Sequence, residues 1–162
     1  MRIIGIDPGY AIVGYGVVEY VSGRFKPVGY GTVRTKADLS FDLRLLEIYS
    51  DLGDILDEYK PGFMALEKIF FTTNQKTAID VAQARGVITL AGITRGIKIA
   101  EYTPLQVKQA VTGYGKAVKK QIQEMTARIL SLDSIPKPDD AADALAVAIC
   151  CAHTKNSLLS KI

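Results

Sequence analysis

A chain of 162 residues, 48% hydrophobic and 23% charged, is long enough to bury a full core as a single domain, 1–162, and too evenly composed for a disordered or fibrous protein. One His and two adjacent cysteines, Cys150 and Cys151 in an alanine-rich stretch, nearly exclude soft-metal and disulfide chemistry. The apolar runs from Val87 to Ile93 and from Ala144 to Ala152 are too short to span a membrane, and an acid stands at position 7 where a signal peptide needs an apolar stretch, so a cytoplasmic protein is expected.

The chain opens on Ile3-Ile4-Gly5-Ile6-Asp7, a short buried strand with a carboxylate where it gives way to the Pro8-Gly9 turn. The return through Gly14-Tyr15-Gly16-Val17-Val18 predicts a hairpin with little bulk near Asp7, leaving room for a phosphate or an ion. Arg24 to Arg34, interrupted by Pro27 and Gly29, reads as an edge strand or a bulge, making residues 2–34 a three-stranded meander. Asp38 or Ser40 then caps a helix whose stripe of Leu45, Ile48, Tyr49, Leu52, Ile55, Leu56 and Tyr59 suits packing on the sheet, and Pro61-Gly62 ends it.

Phe63 to Glu67 repeats the opening layout, a short apolar strand ending in an acid. Phe70, Phe71 and a polar turn follow, and then a helix from Thr77 to about Thr94 whose many Ala and Gly residues allow close approach by the sheet or by a second subunit. Ile97 to Tyr102 reads as a strand, and Thr103-Pro104 as the cap and first residue of a helix reaching Val111. After the Gly113-Tyr114-Gly115 break, a helix from Lys116 to Leu130 begins with lysines. The helix dipole opposes cations there, which suggests that a ligand such as phosphate holds them. Lys108, Lys116, Lys119, Lys120 and Arg128 face only Glu124 in this segment, which reads either as an anion-binding surface or as a solvated helix. The last helix starts near Asp139, Asp140 and Asp143; the latter two share a face, and Asp139 suits a cap.

The two strand-end acids and the two acids of the last helix, Asp7, Glu67, Asp140 and Asp143, would repel one another in one crevice unless cations sat among them. Hard oxygen ligands without His or Cys select Mg²⁺, with Mn²⁺ as a substitute. Two such ions about 3.5–4 Å apart clamp the attacking and leaving oxygens of a phosphoryl displacement.

Five stretches, Gly5 to Val17, Ala65 to Phe71, Gln83 to Val87, Gln106 to Gln121 and Asp140 to Ala148, together resemble the RuvC family of Holliday-junction resolvases. The resemblance implies an α/β fold of the RNase H-like (retroviral integrase) superfamily, a mixed five-stranded sheet flanked by helices. It implies that Asp7, Glu67, Asp140 and Asp143 are catalytic and hold two Mg²⁺ per subunit; some members carry His at the third position, and Asp139 stands beside it here. It also implies DNA contacts by Lys108 and Lys119 and base stacking by Phe70, in which Phe71 could share; the alternative for both phenylalanines is the core. Lys116 and Lys120, beside the matched lysine, are further phosphate contacts or surface charge, and Arg85 is a phosphate contact or half of an ion pair. Lys68 departs from the Gln often found beside the family's glutamate. The implied activity is Mg-dependent, symmetric nicking of four-way junction DNA by a homodimer in recombination and repair, alongside the branch-migration complex RuvA/RuvB, leaving 5′-phosphate and 3′-hydroxyl ends. The rivals are an RNase H or YqgF-like nuclease, an actin-like ATPase, whose fold needs a second domain, and a junction-binding protein without catalysis.

Overall fold

The computed structural model describes residues 1–68 and 75–159, with side chains for all of these except 75, 76 and 156–159. Its elements run β1 (Arg2–Asp7), β2 (Ile12–Val21), β3 (Arg24–Arg34), α1 (Phe41–Tyr59), β4 (Phe63–Glu67), α2 (Gln75–Ile93), β5 (Lys98–Tyr102), α3 (Pro104–Thr112), α4 (Lys119–Ile129) and α5 (Asp139–Leu159). The strands form one five-stranded mixed sheet in the order β3-β2-β1-β4-β5. The expected meander is present: β1 pairs antiparallel with β2, and β2 with β3, with a register shift at Val17/Val18 opposite Pro27, the residue that cannot donate to a ladder. β4 lies parallel to β1, and β5 parallel to β4.

Alternation along the strands divides the core into two layers. Ile4 and Ile6 of β1 and Met64 and Leu66 of β4 face Ile48, Leu52 and Leu56 of α1 and Ala84, Ile88 and Ala91 of α2. Ile3 and Ala65 point the other way, onto α5, whose segment from Ala144 to Ala152 is buried throughout. α3 covers α5 through Val107 and Val111, and the C-cap of α4 does so through Leu130. Cys150 and Cys151 are free and buried in this layer, and burial pushes the Cys150 thiol up to about 12, so both act as small apolar side chains. No helix among the described residues is long and apolar enough to cross a membrane.

Two expectations change. The glycines of the first hairpin make room for a helix, not for a phosphate or an ion: a Cβ on Gly5 would lie 2.0 Å from the Ala144 carbonyl oxygen, and one on Gly14 would lie 2.1 Å from that of Asp140. Only strands without side chains at these points let the backbone of α5 lie directly on β1 and β2. The second change is the start of the basic helix, which is Lys119 rather than Lys116. Tyr114 accepts a hydrogen bond from the Ala117 N–H at 3.2 Å, closing a turn that contains Lys116, and Gln121 Oε1 accepts from the Val118 N–H at 2.9 Å, fixing Val118 as the residue before the first helical turn. Ser40 stands at the N-cap of α1 but makes no side-chain cap bond.

Candidate active site

Asp7 follows Ile3 and Gly5 on the α5 face of β1, and Glu67 follows Phe63 and Ala65 on the same face of β4. The parallel pairs Gly5↔Ala65 and Ile6↔Leu66 bring these two strand ends side by side. On the other flank, Asp7 pairs with Gly14, and Gly14 is where the Asp140 carbonyl comes down on the sheet. One close packing contact therefore carries the first turn of α5 to the acidic rim.

The result is a cleft of about 280 Å³ lined by Asp7, Glu67 and Asp143, by Lys108 of α3 and Lys119 of α4, and by an apolar wall that includes Val107, Ile122 and Ala146. α3 is aimed at it by a reciprocal cap, in which Gln106 N–H donates to Thr103 Oγ1 at 3.1 Å and Thr103 N–H donates to Gln106 Oε1 at 2.8 Å. Asp140 stands outside the lining, yet its charge acts on Asp7. Asp139 turns away to a 3.0 Å pair with Lys137, which holds its carboxyl below the usual range. Sequence reasoning misses Lys137, whose place two residues ahead of an acid cluster is the signal that would have flagged it.

Burial, then the charges of Asp143, Glu67 and Asp140, push Asp7 up to about 7 against the opposing pull of Lys119. Burial, and then Asp143, also raise Glu67, with Lys108 opposing. The Lys119 ammonium lies 2.8 Å from Asp143 and 3.9 Å from Asp139, and the hydrogen bond to Asp143 raises its own pKa. No group of three or more acids among the described residues closes on one point as a finished metal cage. The donor set nevertheless fits a hard divalent ion: it is all carboxylate oxygen, and its members disfavour one another's charge until a cation enters.

The family model for crossover junction endodeoxyribonuclease RuvC matches residues 3–151. The chain belongs to the RuvC family. The crossover junction endodeoxyribonuclease RuvC of Desulforamulus reducens is 56% identical over 100% of this chain and 99% of its own length. The RuvC structure from Thermus thermophilus superposes with a TM-score of 0.88 at 30% identity, covering 97% of each chain, and the same protein in complex with a Holliday junction substrate superposes with a TM-score of 0.87 at 28% identity, covering 96% of each. The fold is therefore RNase H-like, as expected. Membership of this nuclease family implies dependence on a divalent metal.

The cations singled out in the sequence divide by position. Lys108 and Lys119 line the cleft. Lys120 is exposed beside Lys119 and lies 4.0 Å from Glu124, one helical turn away. Lys116 is exposed in the turn before α4. Arg85, on α2, donates to Glu101 of β5 and does not line the cleft, so the ion pair, one of its two expected roles, is present. Phe70 and Phe71 lie outside the described residues.

Proposed function

We propose that this RuvC-family chain is a structure-selective DNA endonuclease that resolves four-way junctions by hydrolytic nicking of opposing strands in recombination and repair. The observation that carries this reading is the cleft in which strand-end acids Asp7 and Glu67 and helix acid Asp143 face Lys108 and Lys119. The RuvC relative from T. thermophilus, solved with a Holliday junction substrate, supports the same substrate class.

Asp7, Glu67, Asp140 and Asp143 are the proposed catalytic residues and the ligands of two Mg²⁺ per subunit, with Mn²⁺ as a substitute; the bound metal supplies activation of water and stabilisation of the departing 3′ oxygen. Lys108 and Lys119 attract the scissile phosphate and orient it over the acids, while Lys116 and Lys120 extend the positive surface along the backbone. Val107, Ile122 and Ala146 exclude bulk water from one side of the cleft and so strengthen the charge interactions within it. Attack of water on phosphorus with breakage of the P–O3′ bond leaves 5′-phosphate and 3′-hydroxyl ends. Phe70 is assigned to base stacking at the crossover by family resemblance alone, and Phe71 either shares that role or belongs to the core.

A homodimer matches the two-fold symmetry of paired nicks. It is supported by a stripe on α2 at alternating spacings of four and three residues, comprising Ile79, Gln83, Gly86, Leu90 and Ile93, all of them exposed. A Cβ on Gly86 would meet nothing within 4 Å, which leaves that face open to the backbone of a second helix. Residues 1–162 acting as one nuclease domain in the cytoplasm, alongside RuvA/RuvB, complete the reading.

The deciding experiment is cleavage of a labelled synthetic junction with Mg²⁺, beside a linear duplex of the same arms, an RNA/DNA hybrid and the Asp7→Asn protein. Symmetric, re-ligatable nicks confined to the junction and lost in Asp7→Asn are expected. Equal cutting of duplex or hybrid would reassign the chain to a general RNase H-like nuclease, and tight junction binding without cleavage would reduce it to a binding protein.

A further inference from the structure

Among the described residues, Lys119 is the only cation in an ion pair with an acid lining the cleft. Its Nζ lies 2.8 Å from Asp143, at the first position of α4, where the helix dipole opposes an ammonium. The contact with the acids therefore holds the charge there, and the helix does not. The Lys119 side chain is 59% exposed while that of Asp143 is 26% exposed, so the ammonium reaches inward on a solvated stem and can leave without unpacking anything. Its second anionic neighbour, Asp139, is 3.9 Å away and outside the cleft lining, which marks the direction of that withdrawal.

A divalent ion on Asp143 and an ammonium on the same carboxylate repel each other at a few ångströms, in a cleft partly closed to water. We infer that Lys119 is an exchangeable internal counterion, which neutralises Asp143 in the metal-free cleft, is displaced when a divalent cation binds, and is thereby released to a DNA phosphate. This inference rests on the metal site proposed above and adds an order of events to it. Coupling between two sites is reciprocal: if the metal expels the ammonium, the ammonium must weaken the metal. Replacing Lys119 should then tighten divalent binding while loosening junction binding. A lysine that only contacts phosphate, or only supports the fold, gives no such opposition of signs.

The test is titration calorimetry of the DNA-free protein with Mn²⁺ at constant pH and ionic strength, for the wild type, Lys119→Gln and Lys120→Gln. Lys120→Gln makes the same charge change one residue further along, and a thermal melt of each protein establishes that it is folded. Lys119→Gln should bind Mn²⁺ about fivefold more tightly than the wild type, with Lys120→Gln unchanged. Junction affinity measured with Ca²⁺ should fall in Lys119→Gln. Unchanged or weaker Mn²⁺ binding by Lys119→Gln would overturn the exchange, as would equal tightening by Lys120→Gln, which would reduce the effect to net charge. Absence of Mn²⁺ binding by all three proteins would overturn both the exchange and the metal site on which it rests.

Discussion

Gly14 and Asp140 are in backbone contact: a Cβ on Gly14 would stand 2.1 Å from the Asp140 carbonyl oxygen, and Gly14 is the register partner of Asp7. One missing side chain thus sets how far the acids of α5 stand from the acid of β1.

Gly14→Ala should push the start of α5 off the sheet. The expected cost is about 3 kcal/mol of stability, typical of a severe overpacking contact with backbone that cannot rotate away. Junction cleavage should fall further than the remaining folded fraction accounts for, because Asp140 and Asp143 move with the helix. Urea unfolding and single-turnover cleavage below the transition separate the two effects.

The acids of the cleft should make the metal-free protein less stable as pH rises. Asp7 is raised from 3.8 to about 7 by burial and by Asp143, Glu67 and Asp140. Between those values the unfolded chain has released a proton that the folded chain still holds, so stability falls across the window and stays low above it. Glu67 is shifted in the same direction and adds to the trend. Asp7→Asn should therefore gain about 2 kcal/mol on the wild type between pH 4.5 and pH 8 in chelator. Denaturant unfolding at the two pH values checks this, and a wild type that is more stable at pH 8 than at pH 4.5 would contradict it.

Leu90→Lys should convert the proposed dimer to a monomer. Leu90 is 53% exposed in the single chain, between Ile79 at 66% and Ile93 at 58%, so a lysine there costs the fold little while placing charge in the proposed interface. Sedimentation should show loss of the dimer, and paired nicking of one junction should give way to single nicks.

Lys108→Ala and Arg85→Ala should differ in their response to salt. Lys108 faces the cleft, whereas Arg85 is engaged by Glu101. Loss of a phosphate contact lowers the slope of log K against log salt by about 0.9, and this is expected for Lys108→Ala alone. Binding of a labelled junction over a salt series, in Ca²⁺, reads it directly.

The sequence alone determined the strand-end acids, the meander, the order of the helices and the lysine-rich segment, because strand alternation, turn residues and helical periodicity are local properties of the chain. The five motif stretches pointed to the RuvC family for the same reason: each is short and contiguous. The sequence did not determine why the first hairpin is rich in glycine. Gly14 and Gly16 suggested an open space, and tertiary packing laid α5 over them, a segment more than a hundred residues further along the chain. Nor could spacing decide whether Arg85 meets phosphate or Glu101, or that Lys119 rests on Asp143, because the partners come from different elements whose juxtaposition is set by the sheet order β3-β2-β1-β4-β5 and by the helices packed on it. Local sequence wrote the chemical groups of the cleft; the close approach of a helix to two strands, possible only where side chains are absent, decided the distances between them.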